Sequence, residues 1–315
     1  MAYTSGMSLF STSGPMTQPV KAAMLMLAGM LAFSIMSALV RLAAGQIHSF
    51  EVAFFRNILA VLMFLPLIMR KGPGMMRSKQ PKLHLARAGL GAMAMMSFFT
   101  ALTLIPLAEA TALGFASPFF ATLGAVLFLG ERIKFHRSAA LIVGFIGVMI
   151  VLRPGYVDFS LGAGLMLLSA GLIGITAVLV KKLSATDAPE AIAIWMVVLQ
   201  TPITLIAALF VWEWPTGQTF LYLLGLAFAG TVGHLCWTRA MSIAEVSQLQ
   251  PFEFAKLPFV AMIGFFVFSE VPTQWVWIGG AIIFAANGYI THRESRLARK
   301  NASAAASHGS RPTPL

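Results

Sequence analysis

Residues 22–40 read AAMLMLAGMLAFSIMSALV, and residues 162–180 read GAGLMLLSAGLIGITAVLV. Laid over one another at an offset of 140 they share 7 identities in 19 positions. Neither stretch holds a charged side chain. Each has the length that a helix needs to cross a hydrocarbon core about 30 Å thick, which is about 20 apolar residues. An apolar run that returns 140 residues later points to a membrane protein built from two related halves.

The rest of the chain agrees. Of 315 residues 58% are apolar and 10% charged, against roughly 25% charged in soluble domains. So few polar groups cannot cover a water-facing surface. A soluble enzyme, a disordered chain and a disulfide-stapled domain are excluded. The single cysteine, Cys236, excludes an internal disulfide and a Cys-cluster metal site. Ten stretches read as spans, at 22–40, 51–69, 87–105, 109–129, 137–152, 161–180, 191–212, 219–238, 246–269 and 275–291. Barrel strands would alternate over about ten residues, whereas these runs are apolar on every face. The fold class is therefore an all-α integral membrane protein with ten transmembrane helices.

The net charge of +11 is distributed by loop. With the N-terminus in the cytoplasm, 18 of the 22 Lys and Arg fall on the cytoplasmic side. Only Arg41 and Arg153 fall outside, and Arg56 and Lys256 lie within spans. That asymmetry orients a multi-pass protein with both termini in the cytoplasm. The basic loops orient the chain and imply no nucleic-acid partner. Residues 1–19 are expected to form a flexible cytoplasmic tail, and 293–315 a basic, then disordered, cytoplasmic tail.

Glutamate pairs extend the repeat: Glu51 with Glu190, Glu109 with Glu245, and Glu131 with Glu270, at offsets of 139, 136 and 139. The halves are then 20–153 and 154–292, each with five spans. An odd number turns the second half upside down, so the architecture is two inverted five-helix repeats. Inverted repeats mark alternating-access transporters with a solute site near the midplane.

Charges inside spans are costly and are functional candidates by default. Arg56 either snorkels to the outer headgroups, pairs with Glu51, or faces a cavity. Glu253 and Lys256, three residues apart, either neutralise each other or bind solute or a proton. Gln250 and Pro251 beside them suggest a locally broken helix that lines a cavity. His234 and Trp237 close the eighth span, where a histidine is a polar filler or a titratable ligand. Met93, Met95, Met96 and Phe119 offer soft walls to an apolar solute, or simply pack against lipid. Glu51, Glu109 and Glu245 begin helices, where the dipole favours an acid. Glu131 and Glu270 end theirs, so that explanation fails for them, and all five are read as mainly structural.

The stretches 104–111 (LIPLAEAT), 118–132 (PFFATLGAVLFLGER) and 144–147 (GFIG) resemble the EamA module of the drug/metabolite transporter superfamily. Phe54, Phe55, Arg56 and Asn57 resemble the arginine-bearing second helix of that module. In the second half 244–251 (AEVSQLQP), 268–272 (FSEVP) and Gly279-Gly280 resemble its second copy, with Trp195 in place of Arg56 and Ser269-Glu270 in place of Gly130-Glu131. The resemblance covers about 20–292. It implies an inner-membrane transporter of amino acids, nucleosides, vitamins or other small metabolites, and it adds Asn57 to the candidate site.

The sequence therefore reads as a secondary transporter of a small amphipathic metabolite. Its partners are a small-molecule solute and the lipid bilayer, with a proton as candidate coupling ion. No cofactor and no metal is expected, since the zinc-protease, nucleotide-loop and serine-hydrolase signatures are absent from the sequence. The alternative reading is an intramembrane enzyme or a lipid-handling protein, for which Glu253 and Lys256 are the one candidate reactive pair.

Overall fold

The computed structural model describes residues 18–72, 74, 78–129, 135–153, 159–187, 189–243, 249 and 252–309. The regular elements among them are all helical: α1 (Gln18–Ala44), α2 (Ser49–Lys71), α3 (Pro81–Leu104), α4 (Leu107–Gly114), α5 (Ser117–Leu129), α6 (Phe135–Leu152), α7 (Leu161–Leu183), α8 (Pro189–Leu209), α9 (Gly217–Ile243), α10 (Lys256–Phe268) and α11 (Gln274–Gly309). Six of them, α1, α2, α3, α7, α8 and α9, are long and apolar enough to cross a membrane. Residues 139–152 and 256–268 form shorter apolar helices.

Local chemistry sets these elements. The polar groups of α1 stay inside the helix: Ser34 Oγ donates to the Met30 carbonyl at 2.7 Å, and Ser37 Oγ to the Phe33 carbonyl at 2.9 Å. Pro81 stands in the first turn of α3, where its missing N–H costs nothing. Ser160 caps α7 by accepting from the Ala163 N–H at 3.1 Å.

Two expected spans are interrupted. The 109–129 stretch forms two helices, α4 and α5, parted by a turn at Phe115 and Ala116. In the 246–269 stretch a turn at Phe254 and Ala255 precedes α10. Gln250 and Pro251, where the sequence suggests the break, lie outside the described residues. The last helix runs on to Gly309, past the expected end at 291.

Packing joins the halves in a regular pattern. α1 lies on α9 and α3 on α7, while α2 meets α8, α4 meets α10 and α6 meets α11. α5 also lies on α7, as α10 lies on α1. Counting α4 and α5 as one, exchanging the halves leaves this set of contacts unchanged. The core between them is built from Leu102, Leu107, Leu113, Met166, Leu226 and Leu257, all fully buried.

The backbones of α6 and α11 cross in close contact. A Cβ on Gly147 would stand 2.9 Å from the Gly279 carbonyl oxygen, and one on Gly279 would stand 2.6 Å from the Gly147 carbonyl oxygen. Backbone cannot yield as a side chain can, so Gly147→Val or Gly279→Val should cost about 1–3 kcal/mol through overpacking. The measurement is thermal unfolding in detergent, where each variant should melt several degrees below the parent. Gly217→Val, at a position with open space around it, should melt with the parent.

Candidate functional site

The two interruptions face each other. The Phe115 ring stacks on Phe254, with centroids 5.8 Å apart and planes 30° apart, and Phe284 of α11 lies 4.7 Å from Phe254. Asn287 Nδ2 donates to the Phe115 carbonyl at 2.8 Å, which takes up an acceptor at the break. Phe115-Ala116 and Phe254-Ala255 are themselves repeat mates, 139 residues apart. The sequence reading missed this aromatic pair, although the glutamate offset of 139 pointed straight at it.

Beside that contact lie the intramembrane charges. Lys256 opens α10 and stands about 18 Å from the helix's far end at 1.5 Å per residue. Its Nζ lies over the Phe98 ring of α3, 5.7 Å from the centroid. Ser34 of α1 reaches its carbonyl at 3.4 Å. Glu253 Oε1 accepts from Trp237 Nε1 of α9 at 3.0 Å. Glu253 and Lys256 attract one another, but the direct partner of the acid is the indole. Phe254 and Ala255 form a turn between the two charges, with the Ala255 backbone in the right-handed helical region.

Arg56 of α2 is buried and donates to Asn57 Oδ1 at 3.1 Å. Asn57 is fully buried and passes the chain on, with Nδ2 donating to Thr204 Oγ1 of α8 at 3.3 Å. Thr204 Oγ1 in turn donates to the Gln200 carbonyl at 2.8 Å. The Arg56 charge is felt at His234, which is exposed on α9 and meets the Phe33 ring edge-on at 5.0 Å. Arg56 is thus not the partner of Glu51, whose carboxylate instead accepts from the backbone N–H groups of His48 (3.2 Å) and Glu213 (3.0 Å). Nothing in the sequence pointed to Thr204. Phe119 has a different setting: its ring fills the space above Gly144 of α6, a packing position that the glycine leaves free. Gln250 lies outside the described residues. Among the described residues no three His, Cys, Asp or Glu side chains converge as metal ligands would.

Both ends of the bundle are tied across the halves. At the end where α1 finishes, Arg41 pairs with Glu270 and covers the Phe268 ring at 5.0 Å. Glu270 Oε2 also accepts from the Leu107 N–H at 2.9 Å, so this acid does meet a helix dipole, that of α4 rather than its own. Gln46 accepts from Thr219 and Thr216 at the same end. A cavity of about 660 Å³ opens there between residues 44–48 and 209–213, apart from the Lys256 region. At the opposite end Asp187, in the turn after α7, binds Ser78 and accepts from or is salt-bridged to His84 Nε2 at 2.7 Å. Gln80 Nε2 donates to Thr186 Oγ1 at 2.9 Å.

The Asp187 carboxyl is held down at about 2, first by the Ser78 hydroxyl and then by His84. A carboxyl lowered by the fold contributes stability above its ordinary pKa of 3.8 and loses it as pH falls toward 2. The tie should therefore be intact at about pH 5 and weaken below about pH 4. Asp187→Asn should melt lower than the parent at pH 7 and show a flatter pH profile between about pH 5 and 3. Identical profiles for the two proteins would count against it.

The EamA-like transporter family pattern matches residues 20–153 and again 160–291. A riboflavin transporter of Vibrio cholerae is 34% identical over 287 residues, covering 90% of this chain and 96% of its own. A riboflavin transporter of Rhizobium johnstonii is 36% identical over 293 residues, covering 91% and 96%. An S-adenosylmethionine uptake transporter of Rickettsia felis is 28% identical over 259 residues, covering 82% and 88%. A solved crystal structure of 17% identity shares the fold, with a TM-score of 0.60 over 87% of this chain and 98% of its own. With the pattern found once in each half and relatives matched nearly end to end, the chain belongs to the EamA-like transporter family.

Proposed function

We propose that this chain is a secondary transporter of a small amphipathic metabolite across the bacterial inner membrane, with riboflavin the first solute to test. The observation that carries this reading is the likeness to the two riboflavin transporters, which runs over nine-tenths of this chain and nearly all of theirs. In this reading α4 with α5 forms the fourth of ten spans. The halves 20–153 and 154–292 are inverted repeats, and both termini are cytoplasmic. The solute lies between the halves near the midplane. Arg56, Asn57, His234, Trp237, Gln250, Glu253 and Lys256 supply polar contacts there, and Phe33, Phe98 and Trp237 supply a flat apolar surface. The halves rock about this site, so exposure on the outer face requires Arg41 to part from Glu270. Glu253 is the candidate proton carrier.

The test is riboflavin counterflow in proteoliposomes of the purified protein. Accumulation of unaltered riboflavin is expected. No accumulation of riboflavin or of S-adenosylmethionine would sink the reading, and a chemically altered product would favour the enzyme alternative. At equal protein, Arg56→Ala should lower the rate by at least about tenfold. A wild-type rate in that variant would place the site elsewhere. For the topology, cysteines placed at Gly217 in a Cys236→Ser background should react with an impermeant thiol reagent added to whole cells, and cysteines at Gly74 should not. The reverse pattern would overturn the orientation.

A further inference from the structure

The relatives divide by charge, because riboflavin is neutral and S-adenosylmethionine is a sulfonium cation. The groups gathered between α1, α2, α3, α9 and α10 bear on that choice. Two cations stand there, Arg56 and Lys256, against one acid, Glu253. The acid already takes the Trp237 N–H. Lys256 rests on the face of Phe98. Among the described residues no carboxylate touches Arg56, whose contact is the neutral carbonyl of Asn57. Among the described residues the formal charge of this group is positive, and where burial excludes water it is poorly screened. A second cation arriving there is repelled, whereas an acceptor-rich or anionic group relieves the burial of Arg56.

The geometry adds a shape to this charge. A guanidinium is a planar fork of five N–H donors, and the contact to Asn57 engages one terminal nitrogen. Asn57 is fully buried and is itself fixed by Thr204, which is anchored on its own helix. The string from α8 through Asn57 therefore holds one nitrogen of the fork before any solute arrives, and the remaining donors suit bidentate recognition of two neighbouring acceptors. Aromatic rings of Phe33, Phe98 and Trp237 lie on the neighbouring helices.

Resting on the site reading above, we infer that the solute is a neutral or anionic planar heteroaromatic whose carbonyl edge docks on Arg56, and that a planar cation of the same size is rejected. Asn57 and Thr204 act as positioning residues for the fork. The site separates the chemistry of a flavin from that of a sulfonium by charge, not by volume.

The test uses the purified full-length protein and two tricyclic probes of similar width. Lumichrome is neutral and carries a ring carbonyl beside an acceptor ring nitrogen, and 10-methylacridinium is a cation without such a pair. Binding is read by quenching of tryptophan fluorescence and by thermal shift. Lumichrome should bind at least about tenfold tighter than methylacridinium. Arg56→Gln, which removes the charge and keeps a donor, should narrow that gap to under about threefold. Arg56→Lys keeps the charge without the fork, so it should still reject the cation while binding lumichrome about tenfold more weakly. Asn57→Ala should weaken lumichrome and leave methylacridinium unchanged. Equal binding of the two probes by the wild type would overturn the inference, as would binding of neither. So would an unchanged gap in an Arg56→Gln protein that elutes as a single folded species. Should Arg56→Gln fail to fold, the wild-type comparison and Arg56→Lys still decide the matter. Riboflavin counterflow alongside equal probe binding would remove this inference and leave the transport reading standing. Charge discrimination without counterflow would do the opposite.

Discussion

Hydrocarbon offers no hydrogen bonds, so a helix that breaks inside the membrane must find partners for the backbone groups it frees. This chain contains two such breaks, at Phe115-Ala116 and before Lys256, and much of its interior answers to them. Asn287 reaches from α11 to the Phe115 carbonyl, and Ser34 reaches from α1 to the Lys256 carbonyl. Glu270 covers the first N–H of α4 from the opposite half. Asn287 and Ser34 belong to different helices from the backbone they serve, and Glu270 lies in the connection after α10. These contacts tie the turn at Phe115 and the starts of α4 and α10 to neighbouring elements.

The same dependence explains the regularity of the contacts between halves. Gln46 accepts from Thr219 at one end, and Gln80 donates to Thr186 at the other. Thr219 lies 139 residues after Gln80, and Thr186 lies 140 after Gln46. The two hydrogen bonds are thus repeat mates with Gln and Thr exchanged between the halves. The first half supplies both amides and the second half both hydroxyls, so the two ends are stitched in the same manner although no residue type is kept in place. The Ser269 backbone adds a detail at the Arg41 end. It sits in the left-handed region at φ 56°, which a residue with a Cβ adopts at some cost. The corresponding position in the first half is Gly130, which bears no such cost. The strained turn delivers Glu270 to both Arg41 and α4.

Burial of Arg56 fits the same economy of polar groups. A charge placed in a span is expensive unless something compensates it. Here the compensation is a neutral amide, and the amide is itself held by a hydroxyl on α8. That leaves the guanidinium held by a neutral partner, with no carboxylate among the described residues in contact with it.

How much of this was legible beforehand depends on what kind of signal carried it. Apolar runs of the right length, a glutamate offset near 139 and a lopsided distribution of Lys and Arg depend on composition and spacing alone. They sufficed for a helical membrane protein of two related halves and for the resemblance to the EamA module. Arg56, Asn57, Glu253 and Lys256 were also legible, because a charge inside an apolar run is conspicuous. Their partners were not. Spacing set Glu253 beside Lys256, but it could not show that Trp237 of α9 donates to the acid. Phe119 read as a soft wall or a packing ring, and spacing could not show that it lies over Gly144. Glu270 seemed misplaced at a helix end, because the dipole it serves belongs to α4, 163 residues away. Sequence determines which segments must leave water and which charges must be answered, since both follow from local transfer energies. Which side chain answers each charge depends on how two halves come together in space, and only the tertiary structure decides that.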